Sequence, residues 1–283
     1  MTDPAAAPDT LLLLAHGRDD ILRQARFCIL TFQHFALRSP GRYRVVVYTD
    51  QPTAFTELGD SVRLELLSPA TMHRWRGADD YVHRIKPEMF IDYAAKYQGR
   101  FAFVDSDTYF MRDPAELFAR IRDGVAVLHV DEGRLSERRN ANMRKLHDFV
   151  RRTTLRLPGR TTGKLSEDTA MWNSGVVGLA PGDRDLLVPS LELVDELFSR
   201  YRKHNMEQLA LSYVLATRLQ LVPADDVVFH YWGRGEGFDR IATQFFADTA
   251  ALDLADRAAA AFALSPKPEP TPRRRWYHRL IRR

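Results

Sequence analysis

The sequence predicts an α/β fold with a largely parallel sheet. Through the first two-thirds of the 283 residues, short apolar runs alternate with helical patterns, which is the order of elements that builds parallel sheets. Hydrophobic residues make up 45% of the chain and charged residues 28%, so wholesale disorder and collagen-like repeats are excluded. Two carboxylates, Asp105 and Asp107, directly follow one of the apolar runs, and open α/β sheets bind ligands where their strands end.

The first strand and the first helix are predicted before residue 38. Residues 11–15 form an unbroken apolar run typical of a buried strand. This run is too short to cross a bilayer or to form the core of a signal peptide, and we expect a cytoplasmic protein. A helical pattern follows at about 21–37, and Asp19 and Asp20 precede it, where negative charge stabilises a helix N-terminus.

The same alternation continues through the middle of the chain. Pro87 suits the first turn of a helix, and Met89, Tyr93 and Tyr97 recur every four residues along one face of it. Strands are predicted at residues 43–48, 62–66, 101–104, 125–130 and 175–179, and further helices at 184–203 and 205–217.

Composition divides the chain into four parts. Residues 1–9 are predicted to be a flexible N-terminus, and residues 10–235 form one domain. Residues 236–265 are predicted to be a helical extension, with an alanine-rich helical pattern near 248–263. Residues 266–283 contain a proline-rich extended spacer and a basic, aromatic tail.

The formal net charge of +4 is distributed unevenly. Residues 134–164 carry a net charge of +8 and residues 266–283 a net charge of +6, which leaves −10 for the remainder. A generally basic surface is therefore excluded, and the acidic body argues against nucleic acid as the partner. The single cysteine, Cys28, excludes an intramolecular disulfide and a cysteine-based zinc cluster.

The strongest chemical pattern is Asp105-Ser106-Asp107, at the end of the apolar run 101–104. Two carboxylates one residue apart can present oxygens to a hard divalent cation, and Mg²⁺ or Mn²⁺ would keep further positions for diphosphate oxygens and water. The alternative is a polar turn in which one Asp caps the helical region at Pro114. Apolar residues on both sides of the pair favour the metal site.

Three basic residues are candidates for the same site. Arg84 and Lys86 are either solvated charges at a helix start or ligands of phosphate oxygens, which Arg binds bidentately and Lys as a point charge. His230 is either a structural histidine or a third metal ligand beside the two carboxylates.

Four polar residues near other predicted turns allow two interpretations. Tyr48 and Asp50 close the second strand, where they either contact a nucleoside or form an ordinary turn. Asp168 either hydrogen-bonds sugar hydroxyls or balances the neighbouring basic stretch. Asn173 lies in Asn-Ser-Gly, a common loop sequence that by itself indicates only a turn.

The motifs resemble those of nucleotide-sugar glycosyltransferases with the GT-A fold, and their order is closest to glycosyltransferase family 8. The motifs that carry the resemblance are His83-Arg84-Ile85-Lys86-Pro87, Asp105-Ser106-Asp107, Met171-Trp172-Asn173-Ser174-Gly175-Val176-Val177, Met206-Glu207-Gln208-Leu209 and Phe229-His230-Tyr231-Trp232-Gly233. They cover residues 10–235 as separate short segments. Two segments depart from the family: Ala15-His16-Gly17-Arg18 replaces the usual acidic or Asn residue, and Arg234 stands where a Lys-Pro-Trp motif is usual.

The resemblance implies a single Rossmann-like GT-A domain with a mixed, mainly parallel sheet and a helical C-terminal extension. It implies that Asp105, Asp107 and His230 bind Mn²⁺ or Mg²⁺. Together with the candidates above, it predicts donor contacts at His16, Tyr48, Asp50, Arg84, Lys86, Ser106 and Arg234. It also implies that Asn173 and Asp168 position the sugar and that Gln208 lies near the anomeric carbon.

The function expected from this resemblance is that of a metal-dependent hexosyltransferase. It would move a sugar from a nucleotide-sugar, with UDP as the expected nucleotide, to a glycan or lipid-linked acceptor in polysaccharide or lipopolysaccharide synthesis, with retention. A phosphatase-like hydrolase is an alternative, although its Asp-x-Asp-x-Thr/Val motif fails at Tyr109. A non-catalytic membrane or nucleic-acid binding protein is the other alternative, and it would use the two basic segments.

The two basic segments have separate predicted roles. Residues 134–164 form either a solvated helix and loop or a surface for an anionic acceptor. In the tail, Trp276 and Leu280 lie four residues apart on one side of a helical pattern edged by arginine. We therefore expect residues 273–283 to contact an anionic membrane reversibly from its cytoplasmic side, the alternative being a solvated tail.

Overall fold

The computed structural model describes residues 7–159, 161–232 and 235–265. Its strands match the predicted apolar runs and add several short segments. Within the described residues the strands are β1 (Asp9–Leu14), β2 (Tyr43–Thr49), β3 (Arg63–Leu66), β4 (Phe101–Val104), β5 (Thr108–Phe110), β6 (Val125–Leu128), β7 (Asp131–Arg134), β8 (Ala170–Trp172), β9 (Val176–Leu179), β10 (Gln220–Pro223) and β11 (Val228–His230).

Helices connect most of these strands. The α-helices are α1 (Asp19–Ala36), α2 (Pro69–Arg76), α3 (Ile85–Lys96), α4 (Pro114–Phe118), α5 (Ala141–Arg152), α6 (Leu187–Arg200), α7 (Met206–Ala216), α8 (Gly235–Asp248) and α9 (Leu254–Leu264). Short 3₁₀ segments occur at Pro52–Ser61, Val82–Arg84, Leu135–Glu137 and Pro181–Leu186.

The main sheet has seven strands in the described residues, in the order β10-β6-β9-β4-β1-β2-β3. All neighbouring strands run parallel except β9, which is antiparallel to both β4 and β6. The predicted mixed, mainly parallel sheet is therefore confirmed. Parallel strands need crossover connections, and α1 and α3 are the helices that precede β2 and β4.

Both faces of the sheet are buried, because successive side chains of each strand point to opposite sides. On β4, Phe101 and Phe103 pack into one apolar cluster with α3, α6 and α7. Ala102 and Val104 pack into the other cluster, with α1, α8 and α9. Burial on both faces explains why this strand is an unbroken apolar run in the sequence.

Two small two-stranded sheets lie outside the main sheet. β5 pairs with β11, and β7 pairs with β8, both in antiparallel orientation. These strands have only three or four residues, and no strand is predicted from the sequence at β5, β7 or β8. Both small sheets carry residues of the site described below.

The last two helices pack on α1. The Phe27 ring meets the rings of Phe238 and Phe245 edge-on, with centroids 5.0 and 5.3 Å apart. Arg23 also forms an ion pair with Asp239 at 2.8 Å. Residues 266–283, the predicted spacer and tail, lie outside the described residues.

No helix in the described part of the chain is both long and apolar enough to cross a membrane.

Candidate functional site

The carboxylates predicted to bind metal lie where β4 ends. Asp105 follows Val104 directly, and Ser106 and Asp107 form the turn that leads into β5. The backbone amide of Asp105 donates to the carbonyl of Gly175 at 2.8 Å, and the Thr108 hydroxyl donates to the Asp105 carbonyl at 2.7 Å. The turn is thus held by bonds that do not use the Asp105 and Asp107 carboxylates, and both carboxylates are half-exposed at the carboxyl edge of the sheet.

A different residue caps α4. Asp113 accepts a hydrogen bond from the amide of Ala115 at 2.8 Å, as expected for an N-cap. The alternative interpretation of the Asp-x-Asp pair, in which one of its carboxylates caps this helix, is therefore incorrect.

His230 reaches the carboxylates because β11 pairs with β5. In that pairing His230 lies opposite Thr108, the residue after Asp107. The Nε2 atom of His230 is 3.2 Å from Oδ1 of Asp107 and 3.9 Å from Oδ2 of Asp105. One ligand atom from each of the three side chains lies within 4.8 Å of the other two.

The donor set and its spacing fit a divalent cation. Two carboxylates and one imidazole suit Mg²⁺ or Mn²⁺, and metal ligands commonly come from such a mixture of oxygen and nitrogen atoms. Nε2 of His230 and Oδ1 of Asp107 can approach to 3.2 Å only with a proton or a cation between them. Although burial opposes it, the neighbouring His230 lowers the pKa of Asp107, which favours the ionised carboxylate.

The second nitrogen of His230 is held by Asn173. Nδ1 lies 3.0 Å from Oδ1 of Asn173, which also accepts the backbone amide of Gly175 at 2.9 Å. An amide oxygen only accepts, so Nδ1 carries the proton and Nε2 is directed toward the carboxylates. A Cβ at Gly175 would lie 2.2 Å from Nδ1 of His230, so only glycine fits there.

Glu132 extends this network to Gln208. One carboxylate oxygen of Glu132 accepts from Nδ2 of Asn173 at 3.1 Å, and the other accepts from Nε2 of Gln208 at 3.0 Å. The structure therefore joins Gln208, Asn173 and His230, which lie far apart in the sequence. Glu132 is not predicted from the sequence, because it lies in a four-residue strand without an alternating pattern.

Lys86 lies beside the carboxylates and is buried. Its Nζ is 3.1 Å from Oδ1 of Asp105, 3.3 Å from the Ser174 carbonyl and 3.6 Å from Oε1 of Glu207. Glu207 is also buried, and its other oxygen accepts from the Ser174 hydroxyl at 3.1 Å. Burial by itself lowers the pKa of Lys86, but Asp105 and Glu207 outweigh it and raise that pKa, so the ammonium stays charged.

Arg84 is held in contacts of its own. Its guanidinium forms ion pairs with Asp195 and Glu88, both at 2.6 Å, and donates to the carbonyl of Trp75 at 2.9 Å. These contacts fix the end of α3 against α6. The structure therefore does not bring Arg84 into the network of Lys86, although the two residues are neighbours in the predicted motif.

Tyr48 is part of the core. Its side chain is 1% exposed, and its hydroxyl donates to Oδ2 of Asp92 at 2.6 Å. Burial raises the pKa of this hydroxyl, which stays protonated. The ring is therefore covered by protein, and the predicted contact between Tyr48 and a nucleoside is not supported by its position.

His16 and Asp50 lie at the same strand edge as Asp105. His16 follows β1, and Asp50 accepts from the backbone amide of the neighbouring Gly17 at 3.1 Å. Burial lowers the pKa of His16, so its imidazole is neutral near pH 7. Parallel strands β1, β2 and β4 end together at this edge, so the three residues follow neighbouring strand ends.

Asp168 is exposed and lies on the loop before β8. Its carboxylate accepts from the hydroxyl of Ser136 at 2.6 Å, and its carbonyl accepts from Arg134 at 2.8 Å. These contacts tie Asp168 to the end of β7 and the segment after it, and not to Asp105, Asp107 or His230. Arg234, the other predicted donor contact in the late motif, lies outside the described residues.

Two aromatic residues that the sequence analysis does not single out as ligands surround His230. His129 lies edge-on to it with ring centroids 5.2 Å apart, and burial lowers the pKa of His129 to about 4. Trp232 lies 5.0 Å from the His230 ring, and 53% of its surface is exposed. The His230 imidazole thus has a buried neutral neighbour on one side and an exposed indole on another.

A cavity of about 880 Å³ lies away from the carboxylates. Its lining includes Arg84, Arg156, Asp195 and Phe198. Tyr81 also lines it, and the Tyr81 hydroxyl accepts from the backbone amide of Glu207 at 3.3 Å. Of the candidates for metal and donor binding, Arg84 lines this cavity, but Asp105 and Lys86 do not. The cavity is therefore separate from the candidate metal site.

Comparison with solved structures identifies the fold. The chain matches the galactosyltransferase LgtC, solved in complex with donor and acceptor sugar analogs, with a TM-score of 0.51 over 92% of this chain and 98% of that one. The chain has the GT-A glycosyltransferase fold. A second LgtC structure, of an active-site mutant in which glutamine is replaced by glutamate, matches with a TM-score of 0.50 over 75% of this chain and 72% of that one. Sequence identity is 12% and 11%, so these matches establish the fold alone.

Two further structures align at lower similarity. The bifunctional glycosyltransferase WbbM matches with a TM-score of 0.48 and 13% identity, and GlyE of Streptococcus pneumoniae with 0.46 and 12%. The alignments cover 94% and 88% of this chain, which spans about half of each larger protein, 51% and 53%. No protein-family model and no curated protein sequence matches the chain. The predicted resemblance to family 8 is consistent with the GT-A match to LgtC.

Proposed function

We propose that this protein is a metal-dependent glycosyltransferase that moves a sugar from a nucleotide-sugar to a glycan or lipid-linked acceptor. The observation that carries the proposal is the cluster of Asp105, Asp107 and His230 at the carboxyl edge of a GT-A sheet. In open α/β sheets this edge is where ligands bind. The proposed setting is cell-surface polysaccharide or lipopolysaccharide synthesis.

The three ligand side chains would hold Mn²⁺ or Mg²⁺. When bound, the cation would supply positive charge to the departing nucleoside diphosphate. Asp105 and Asp107 contribute carboxylate oxygens, and His230 contributes Nε2 because Asn173 holds its other nitrogen. Lys86 adds a second, permanent positive charge 3.1 Å from Asp105, which favours a diphosphate on the same side of the cluster.

The orientation of the Gln208 and Asn173 amides supports a role for both residues in holding the sugar. Gln208 is half-buried and donates its NH₂ group to Glu132, so its carbonyl oxygen is directed away from that carboxylate. Asn173 is fixed in the same way on the other oxygen of Glu132. We propose that Gln208 lies near the anomeric carbon and that transfer retains its configuration. The resemblance to family 8 supports this, and an active-site mutant of LgtC also concerns a glutamine.

The exposed positive charges of helix α5 support the proposal of an anionic acceptor. Met143, Leu146 and Val150 are buried along one side of this helix. The charged side chains Arg144, Lys145, Arg151 and Arg152 are exposed, and none forms an ion pair within the described residues. α5 follows β7, the strand that carries Glu132. This unpaired positive face fits a phosphorylated glycan or lipid-linked acceptor close to the site.

A panel of nucleotides with and without Mn²⁺ tests the donor. We expect UDP with Mn²⁺ to raise the unfolding midpoint, since a ligand at 100 times its Kd stabilises the folded state by about 2.7 kcal/mol. UDP alone should give a much smaller shift, measured by thermal unfolding. If GDP or CDP replaces UDP in this pattern, the UDP assignment is wrong. If no nucleotide shows Mn²⁺-dependent stabilisation, the proposed function is contradicted.

A further inference from the structure

We propose that Glu132 is a positioning residue that fixes the orientation of Asn173 and Gln208 and, through Asn173, directs His230 toward the cation. This inference rests on the proposed metal site, but it concerns a carboxylate that belongs to none of the motifs.

A β-bulge places Glu132 at the site. In the β7–β8 pairing, Asp131 lies opposite Trp172 and Gly133 lies opposite Met171, so Glu132 is the extra residue. A bulge turns the side chain of its extra residue out of the regular alternation, and bulges often occur next to active sites. The Asp131 carboxylate accepts from the amide of Gly133 at 2.8 Å, which stabilises the bulge from within.

Gly133 is the residue that permits this geometry. Its φ of +99° lies in the region that favours glycine. A Cβ at Gly133 would lie 2.5 Å from the guanidinium carbon of Arg139. That guanidinium donates to the carbonyl of Glu132 at 3.2 Å, so the backbone of the bulge is held in place.

The charge of Glu132 determines how the two amides are oriented. An ionised carboxylate only accepts hydrogen bonds, so Asn173 and Gln208 must each turn their NH₂ group toward it. Their carbonyl oxygens consequently face away. For Asn173 this directs Oδ1 to His230, an orientation that the Gly175 amide, which only donates, also favours. A neutral side chain at position 132 would not impose this direction on both amides.

The orientation of Asn173 in turn decides which nitrogen of His230 faces the carboxylates. With Oδ1 accepting from Nδ1, the Nε2 lone pair is available to a cation beside Asp107. If Asn173 turned over, its NH₂ group would meet Nδ1 and would favour the tautomer with a proton on Nε2. Residues that orient a metal-binding histidine in this way commonly contribute 10–100-fold to metal affinity.

The variant Glu132→Gln tests the proposal by metal affinity. We expect Mn²⁺ to bind about 10-fold more weakly than to the wild type, measured by calorimetry without nucleotide. The matched control is Glu192→Gln, since Glu192 is exposed on α6, and it should leave the affinity unchanged. An unchanged affinity in Glu132→Gln would overturn the proposal.

A compensating pair separates positioning from a loss of structure. In Glu132→Gln combined with Gln208→Glu, the introduced amide can accept from Asn173 and donate to the introduced carboxylate. We expect this double variant to recover the Mn²⁺ affinity of the wild type. A double variant that binds no better than Glu132→Gln would contradict the proposed direction of the hydrogen bonds.

A measurement on the metal-free protein makes the proposal independent of cation binding and of activity. Proton–nitrogen spectra of His230 should show a protected proton on Nδ1 in the wild type and in the double variant, but not in Glu132→Gln. If this pattern appears and the wild type transfers no sugar, the positioning role stands and the proposed function fails. If the Nδ1 proton is equally protected in Glu132→Gln, the positioning role fails whatever the enzyme does.

Discussion

At the scale of single residues, the site depends on a buried arrangement of charges. Lys86 is 7% exposed and Glu207 is 3% exposed, and Asp105 lies on the other side of the Lys86 ammonium. Isolated ions are costly to bury, so these groups depend on one another. The Lys86 ammonium, whose charge suits a diphosphate, therefore also stabilises the carboxylates of Asp105 and Glu207 in the folded protein.

Replacing Lys86 by methionine should destabilise the protein. Removing one partner of a buried ion pair typically costs about 3–5 kcal/mol, because the other charges lose their compensation. We expect Lys86→Met to lower the free energy of unfolding by that amount, measured in urea. Lys145→Met is the control, since Lys145 is exposed on α5, and a similar loss in both variants would contradict the account.

Site residues that follow a buried strand are predicted well from the sequence, whereas residues whose position depends on distant partners are not. Asp105 and Asp107 follow an apolar strand, and that local pattern is sufficient to predict their position. Glu132 depends on a bulge and on a partner strand almost 40 residues away in the chain, and neither leaves a periodic signal. The orientation of Arg84 was also unpredictable, because its partner Asp195 lies on α6.

At the scale of secondary structure, three-residue strands complete the candidate metal site. β5 and β11 each contain three residues, and their register places His230 opposite Thr108. Such short strands are hard to predict because alternation cannot be recognised over three positions. Most strands of the main sheet were predictable, since runs such as residues 101–104 are buried on both faces and are therefore unbroken apolar runs.

Helix α8 packs on α1, and both helices cover the face of the main sheet to which Ala102 and Val104 belong. Phe245 lies edge-on to Phe27 and is 5% exposed. Truncating a buried Phe to Ala typically costs about 3–5 kcal/mol, so Phe245→Ala should lower the free energy of unfolding within that range. Chemical denaturation measures this, with Phe246→Ala as the comparison because that ring is only partly buried. A negligible effect would show that α8 does not stabilise the domain.

At the scale of the whole molecule, charge is separated along the chain. The body is acidic, whereas residues 134–164 and 266–283 are strongly basic. The first of these segments contains α5 with its exposed positive face. The predicted membrane contact belongs to residues 273–283, which lie outside the described residues. The two basic segments can therefore be tested separately.

Ending the chain at Ser265 should separate membrane contact from the site. We expect the shortened protein to keep the Mn²⁺-dependent stabilisation by nucleotide and to lose binding to vesicles of anionic phosphatidylglycerol, measured by cosedimentation. Neutral phosphatidylcholine vesicles are the control for nonspecific pelleting. Replacing the four exposed cations of α5 by Gln in the full chain should leave vesicle binding intact. Undiminished binding by the shortened chain would contradict the role of the tail.

Activity of the Asp105→Ala variant tests the central claim most directly. The assay measures Mn²⁺-dependent release of UDP from UDP-sugars, with and without candidate acceptors, in the full-length protein. Because Asp105 contributes to the metal cluster and contacts Lys86, the account predicts that Asp105→Ala abolishes this release, while Asp60→Ala, an exposed carboxylate variant, retains it. Undiminished Mn²⁺-dependent release by a folded Asp105→Ala protein would contradict the claim that this cluster binds the catalytic cation.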